Sequence, residues 1–164
     1  MLTLIADLRS HSHPAIPPGF RVRACTRADG DALGHLYFEA YDPGDACETL
    51  DEAIADIEAS FNGDYGEFWF EASPVVEHDG WIVAVSMTAR RATWDRTPDA
   101  PFIIELFTAR GYRRRGLARL LLNECMATLR EAGAMAVALR VGADNTAARS
   151  LYESLGFREW EGPA

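Results

Sequence analysis

A run of six residues limits the possible folds more than any other part of the sequence. The run is Arg113, Arg114, Arg115, Gly116, Leu117 and Ala118. It separates a predicted strand at 101–109 from a helix predicted to begin near Arg114. A helix N-terminus carries about half a positive charge and several unpaired N–H groups, so clustered arginines are unfavourable there unless an anion lies between them. The run therefore predicts a phosphate-binding turn, and the alternative is a solvated basic surface.

The second half of the chain alternates strands and helices, a pattern typical of helices packed over a partly parallel sheet. Apolar residues at helical spacing predict that the helix after the arginine run ends at Gly133. A strand is predicted at 135–141, a helix at 146–155 and a last strand at 157–160. The predicted fold class is therefore α/β with a mixed sheet.

The first half is predicted to hold a strand at 20–25, two helices at 32–41 and 50–60, and antiparallel strands at 67–73, 75–78 and 81–91. Three prolines and a glycine within residues 11–19 exclude a helix there. We therefore expect residues 1–19 to form a flexible or loosely packed arm. Residues 20–164 fit one domain, since a chain of this length can bury its own core.

Composition and charge exclude several classes of protein. No apolar run approaches the roughly 20 residues of a membrane-spanning helix, and the N-terminal residues lack a basic leader, so we expect a cytoplasmic protein with no membrane partner. The chain contains no lysine, which excludes a P-loop. The net charge of −9 argues against binding to nucleic acid. The histidines and cysteines show no metal-ligand spacing, so no metal is expected.

Residues 101–160 resemble the GNAT superfamily of N-acetyltransferases. The signature of that superfamily is Arg or Gln, two residues, Gly, one residue, then Gly or Ala, as found at 113–118. The sequences IIELFTA, MAVALRV and DNTAARSLYESLGF are similar to the fourth strand, the fifth strand and the closing helix of the family. The resemblance implies a mixed, mostly antiparallel central sheet with helices on both faces and splayed fourth and fifth strands. It also implies acetyl-coenzyme A as co-substrate and acetyl transfer to an amine in a ternary complex.

The resemblance also implies which residues bind the cofactor. Free backbone groups of the fourth strand would pair with the pantetheine arm, and the Leu106 N–H would polarise the thioester carbonyl. Asn145 would contact the pantetheine, cap its helix, or do both. Thr108 and Arg110 occupy positions where Val and Pro are typical of the family, which makes the end of the strand harder to predict. The cofactor-binding residues implied outside the 113–118 run are Leu106, Phe107, Thr108, Asn145, Ala148 and Tyr152.

Two side chains are candidates for proton transfer. Tyr152 stands where the family commonly places a general acid, and a phenol of pKa about 10 is protonated when a thiolate of pKa about 8.5 departs. The alternative for Tyr152 is a core tyrosine. Glu105 precedes Leu106, and its carboxylate could accept a proton from the acceptor, directly or through water, or orient an ammonium group. The alternative for Glu105 is an exposed strand residue.

The acceptor is predicted from charge. Residues 28–89 contain fifteen acids and no arginine, and in the family this region lies over the mouth of the site. We therefore expect a small, cationic primary amine or a peptide N-terminus, contacted by Glu39, Asp42, Trp94 and Glu105. Two other functions remain open, a non-catalytic acyl-coenzyme A sensor and an acidic protein-interaction module at residues 39–79. The protein is expected to be a monomer or homodimer.

Overall fold

The computed structural model of the protein describes residues 1–9 and 11–163. Its seven strands are β1 (Leu2–Asp7), β2 (Phe20–Ala24), β3 (Pro74–His78), β4 (Trp81–Ala89), β5 (Phe102–Thr108), β6 (Ala136–Val141) and β7 (Arg158–Glu159). Its four α-helices are α1 (Gly30–Ala40), α2 (Leu50–Phe61), α3 (Leu117–Glu131) and α4 (Thr146–Ser154). Within the described residues, no helix is both long and apolar enough to cross a membrane.

The strands form a single sheet in the order β2-β3-β4-β5-β6-β1-β7. The β5–β6 pair is parallel and the other neighbours are antiparallel. Helices α1 and α2 pack on one face against β3, β4 and β5, while α3 and α4 cover the opposite face. The prediction of a mixed, mostly antiparallel sheet with helices on both faces is confirmed.

Strands β5 and β6 separate soon after they meet. Their pairing consists of Phe102 with Ala138 and Ile103 with Leu139. On the other side of β5, the register with β4 shifts so that Ile104 has no directly opposed partner. These are the strands that the resemblance identifies as the fourth and fifth of the family, so the predicted splay is confirmed.

The N-terminal residues form part of the sheet. Strand β1 pairs along its whole length with β6, from Leu2 opposite Val141 to Asp7 opposite Ala136, and it also pairs with β7. The side chains of Leu4, Ala6 and Leu8 are buried against α3. The prediction of a loosely packed arm is therefore wrong for Leu2–Asp7, because the prolines interrupt the local pattern while the partner strand lies far away in the sequence.

Side-chain hydrogen bonds lie at the starts of α1 and α2. Thr49 precedes α2, and its hydroxyl accepts a hydrogen bond of 3.1 Å from the Glu52 N–H. Thr26 and Asp29 form a capping box in the short 3₁₀ turn before α1, and Arg23 binds the Asp29 carboxylate at 2.8 Å. Side-chain hydrogen bonds thus hold the start of α2 and the turn that leads into α1.

The predicted strand at 67–73 is wrong. Phe68 forms an isolated bridge to Ala89, and the chain then turns into a 3₁₀ helix at Phe70–Ala72. The aromatic residues that suggested a strand pack instead on Phe61 of α2, with the rings of Phe61 and Phe68 5.0 Å apart. Side-chain packing here overrides the local preference for an extended backbone.

The position of β1 makes a prediction about stability. Leu4 is 4% exposed, so Leu4→Ala should lower the free energy of unfolding by about 2–4 kcal/mol, the usual range for a buried leucine. Ile16 is 46% exposed within the proline-rich segment, and Ile16→Ala should change the free energy of unfolding by less than about 0.5 kcal/mol. Urea unfolding of both variants provides the measurement. Equal stability of Leu4→Ala and the wild type would contradict a structural role for β1.

Candidate acetyl-transfer site

A cleft of about 530 Å³ lies between β5, the arginine loop and α4. It contains most of the residues that the sequence predicted to bind the cofactor, with Arg115 as the exception. The lining residues are Ala40, Tyr41, Leu106, Phe107, Thr108, Tyr112, Arg113, Arg114, Gly116, Leu117, Ala118, Arg119, Asn145, Ala147, Ala148, Leu151 and Tyr152. This first cleft has the dimensions of a small-molecule site.

The arginine loop exposes the N-terminus of α3 to the first cleft. Gly116 is the N-cap of α3 and has φ +78°, and Arg114 has φ +60°, so the chain turns sharply just before the helix. A Cβ built on Gly116 would meet no atom within 4 Å, which shows open space above the backbone. The first turn of α3 contains no acidic side chain. The free N–H groups and helix dipole can therefore receive the diphosphate of coenzyme A.

The arginine side chains of the loop do not all face the first cleft. Arg113 lines the cleft and also donates a hydrogen bond to the Ala40 carbonyl at the end of α1. The Arg115 guanidinium instead stacks on the rings of Phe20 and Tyr112, 5.3 Å and 5.0 Å from their centres. Arg115 is thus the one arginine of the loop that does not line the first cleft, and the contact of all three arginines with a phosphate stays a prediction.

Strand β5 presents backbone groups to the gap between β5 and β6. The Ala109 N–H donates to the Val83 carbonyl of β4 at 2.8 Å. Because successive N–H groups of a strand point to opposite edges, those of Leu106 and Thr108 point away from β4, toward the gap. The pairing with β6 ends at Ile103, so these groups face an open edge. An extended amide-containing ligand could pair with that edge as an additional strand would.

Helix α4 and its N-cap supply three of the predicted residues, Asn145, Ala148 and Tyr152. The Asn145 side chain accepts a hydrogen bond of 3.2 Å from the Ala148 N–H, so it caps α4, and its amide group remains able to donate. Tyr152 is buried beside Phe157, with the ring centres 5.8 Å apart, and it borders the first cleft. Burial, and secondarily the Glu105 carboxylate, raises the pKa of Tyr152, which keeps the phenol protonated.

A second cleft of about 300 Å³ meets the first at Tyr41, Leu106, Asn145 and Tyr152. It contains Glu105, which lies on the face of β5 that α1 covers. Burial, followed by the nearby Asp56 carboxylate, raises the pKa of Glu105 to about 7. A carboxyl group of this pKa can exchange a proton at neutral pH.

Tyr37 of α1 and Tyr41, the C-cap residue of α1, hold Glu105, and the sequence analysis missed both. The Tyr37 hydroxyl donates to Oε1 of Glu105 at 3.4 Å, and the Tyr41 hydroxyl donates to Oε2 at 3.3 Å. The available signal was the spacing of four residues, which places two side chains on one face of the helix predicted at 32–41. That spacing also fits plain core packing, so only the structure identifies their partner.

The other predicted substrate residues lie outside both clefts. The Asp42 carboxylate binds the Arg110 guanidinium at 2.6 Å, and the exposed Glu39 contributes only its carbonyl to the same arginine. Trp94 packs on Phe102, with the ring centres 5.3 Å apart, and the Arg140 guanidinium covers its ring at 5.2 Å. Of the four predicted substrate residues, Glu105 is thus the one that lines a cleft.

The acetyltransferase (GNAT) family model matches residues 25–157, which is most of the chain. The chain belongs to this family. A mycothiol acetyltransferase from Renibacterium salmoninarum is 31% identical over 123 residues, 70% of this chain and 33% of that protein. A ribosomal protein bS18-alanine N-acetyltransferase from Salmonella typhimurium is 48% identical over 48 residues, 29% of this chain and 32% of that protein. The chain thus matches about a third of the length of each curated relative.

Solved GNAT structures share the fold. A GCN5-related N-acetyltransferase from Sphaerobacter thermophilus superposes with a TM-score of 0.72 at 19% identity, over 97% of this chain and 48% of that one. The aminoglycoside N-acetyltransferase AAC(6')-Iy in complex with CoA superposes with a TM-score of 0.66 at 21% identity, over 92% of this chain and 96% of that one. The ribosomal-protein-S18-alanine N-acetyltransferase from Escherichia coli superposes with a TM-score of 0.64 at 24% identity, over 86% of this chain and 79% of that one. These likenesses confirm the GNAT fold that the sequence predicted.

The open space above Gly116 makes a prediction about cofactor binding. Gly116→Asp should weaken binding of acetyl-coenzyme A by more than about tenfold, because its carboxylate would repel a diphosphate at the α3 N-terminus. Titration calorimetry provides the measurement. Gly133→Asp is the matched control, since Gly133 also has a positive φ (+91°) and open space but lies at the other end of α3. Equal affinity for both variants would contradict binding at this loop.

Proposed function

We propose that the protein transfers an acetyl group from acetyl-coenzyme A to the primary amine of a small, cationic molecule or a peptide N-terminus, by direct attack in a ternary complex. The observation that carries the proposal is the junction of the two clefts. Leu106 and Tyr152 border both clefts, and Glu105 lies on the second cleft only. A thioester in the first cleft and an amine in the second would therefore meet between an acid and a base.

The first cleft supports the binding of acetyl-coenzyme A. The free edge of β5 would pair with the amides of the pantetheine arm, and the α3 N-terminus would receive the diphosphate. The Leu106 N–H, which points into the gap, would donate a hydrogen bond to the thioester oxygen as negative charge develops there. One such preorganised donor contributes on the order of 3 kcal/mol to lowering the barrier.

Glu105 would act as the base. An amine must lose a proton around its attack on a carbonyl, and a carboxylate in the second cleft could take that proton directly or through one water. Because the pKa of Glu105 is raised to about 7, the carboxylate form increases as the pH rises through neutrality. The same charge favours an ammonium group over an anionic acceptor as the substrate enters the cleft.

Tyr152 would act as the acid. Its phenol stays protonated across neutral pH because burial raises its pKa, so it could give a hydrogen bond or a proton to the departing thiolate. Free thiols have a pKa of about 8.5, so the thiolate is only weakly basic and needs modest help from an acid.

Two observations limit the choice of acceptor. The second cleft is small and contains a titratable acid, which suits the amine-bearing end of a molecule rather than a large rigid one. The ion pair between Asp42 and Arg110 neutralises one of the acids expected to attract a cation. Attraction by the remaining exposed acids of α1 and α2 would then be long-range and sensitive to salt. A relative named for an alanine of a ribosomal protein and a solved structure named for aminoglycosides support amine acceptors of both kinds.

The acceptor class can be tested by thiol release from saturating acetyl-coenzyme A, with the acetylated product identified by mass spectrometry. The panel comprises polyamines, aminoglycosides, free amino acids, and peptides that begin with alanine and carry either basic or acidic residues. We expect cationic amines or peptide N-termini to give product, with kcat/KM falling as salt rises. Binding of acetyl-coenzyme A without any acetylated product would favour a sensor. Equal use of neutral and acidic acceptors, with no effect of salt, would contradict the cationic preference.

The proposed acid makes a prediction about turnover. Tyr152→Phe should lower kcat by roughly 100-fold, because it removes the proton donor but keeps the ring that packs on Phe157. Affinity for acetyl-coenzyme A and the melting temperature should stay close to wild type. Steady-state kinetics with a good acceptor, together with calorimetry, provides the measurement. Unchanged turnover would return Tyr152 to a packing role.

A further inference from the structure

We propose that Tyr37 and Asp56 are positioning residues that act in opposite directions on Glu105. The Tyr37 hydroxyl stabilises the ionised carboxylate of Glu105, and the negative charge of Asp56 favours its protonated form. Helices α1 and α2, which carry these residues, thereby set the pH range in which the base works. This inference rests on the proposed role of Glu105 as the base, which it extends to residues that never touch the substrate.

Tyr37 is buried and contacts Glu105 from the protein core. Its side chain is 6% exposed and lines neither cleft, yet its hydroxyl lies 3.4 Å from Oε1 of Glu105. The ring is held by Tyr41 and Phe107, whose ring centres lie 5.4 Å and 5.2 Å away. A phenol fixed in this way can donate to the carboxylate without moving when substrate arrives. Burial and the neighbouring acids raise the pKa of Tyr37, so the group remains a donor across the working pH range.

Asp56 lies close to the Tyr37 phenol. It belongs to α2, and its carboxylate accepts a hydrogen bond from the Tyr65 hydroxyl. Asp56 is near enough to raise the pKa of both Tyr37 and Glu105. The partly buried Tyr65 ring stacks on Trp94, which helps to keep the acid in place. Because like charges disfavour each other, the Asp56 carboxylate opposes the ionisation of Glu105.

Other titratable and charged groups also lie near Glu105. Two of these groups are phenols of α1 and its C-cap, and one is a carboxylate of α2. The 62–66 loop and α4 each contribute one further phenol. Arg140 of β6 lines the same cleft. The groups are Tyr37, Tyr41, Asp56, Tyr65, Tyr152 and Arg140. Tyr41 and Tyr152 border both clefts, so Tyr37 and Asp56 are better probes of the effect on the base alone.

The contributions of Tyr37 and Asp56 can be distinguished because their removal should shift the pKa of Glu105 in opposite directions. Tyr37→Phe removes a donor to the carboxylate, so the pKa of Glu105 should rise by about half to one unit. Asp56→Asn removes a like charge while an amide oxygen can still accept from Tyr65, so the pKa of Glu105 should fall. A general loss of packing would lower activity at every pH and would not produce shifts in opposite directions.

The test uses two readouts on the full chain. The first is the NMR titration of the Glu105 side-chain carboxyl carbon, assigned by its disappearance in Glu105→Gln, and it needs no activity. The second is the pH dependence of kcat/KM, whose acid limb should lie near the measured pKa of Glu105. Tyr37→Phe should move both readouts to higher pH and Asp56→Asn should move both to lower pH. Asp51→Asn, which removes an exposed acid from the first turn of α2, is the matched control and should move neither.

The outcomes distinguish the inference from the function it rests on. If the carboxyl titration does not shift in opposite directions in the two variants, the inference is overturned, whatever the kinetics show. If that titration shifts as expected but the acid limb stays in place or survives in Glu105→Gln, Glu105 is not the base. If the carboxyl titration and the acid limb of kcat/KM shift together in each variant, in the expected directions, the result supports both the inference and the role of Glu105 as the base.

Discussion

The early separation of β5 from β6 is the constraint on which the rest of the site depends. The parallel pair ends at Ile103, and from there β5 has a hydrogen-bonded neighbour on its β4 side alone. The backbone groups of Leu106 and Thr108 are left facing a gap, which is normally unfavourable for buried polar groups unless a ligand satisfies them. The two clefts both border Leu106, beside this gap.

The arginine loop and α1 connect the two halves of the site. Arg113 lines the first cleft and holds the Ala40 carbonyl, and the next residue, Tyr41, donates to Glu105 on the second cleft. The loop that would receive the diphosphate therefore contacts Ala40, and Ala40 is the residue directly before Tyr41, which holds the proposed base. Strand β1 supports this arrangement from the other side, since it pairs along the whole of β6.

The sequence predicted the elements whose signals are local. The strand–loop–helix around Gly116 was recognisable because charge, small residues and helical spacing all occur within a few positions. The roles of β1 and Tyr37 were not predictable, because each depends on a partner distant in the sequence, β6 for the strand and Glu105 for the phenol. Residues 67–73 were misread because aromatic residues favour strands locally but pack here as a cluster on α2.

The central claim, that the free edge of β5 binds the pantetheine arm, is tested most directly by residue-resolved amide hydrogen exchange with and without coenzyme A. The Leu106 and Thr108 N–H groups should become strongly protected on binding, because they point into the gap. The Phe107 and Ala109 N–H groups point toward β4, where that of Ala109 bonds to Val83, so their exchange should change little. Protection that spreads evenly over these four residues, or spares Leu106 and Thr108, would contradict the account.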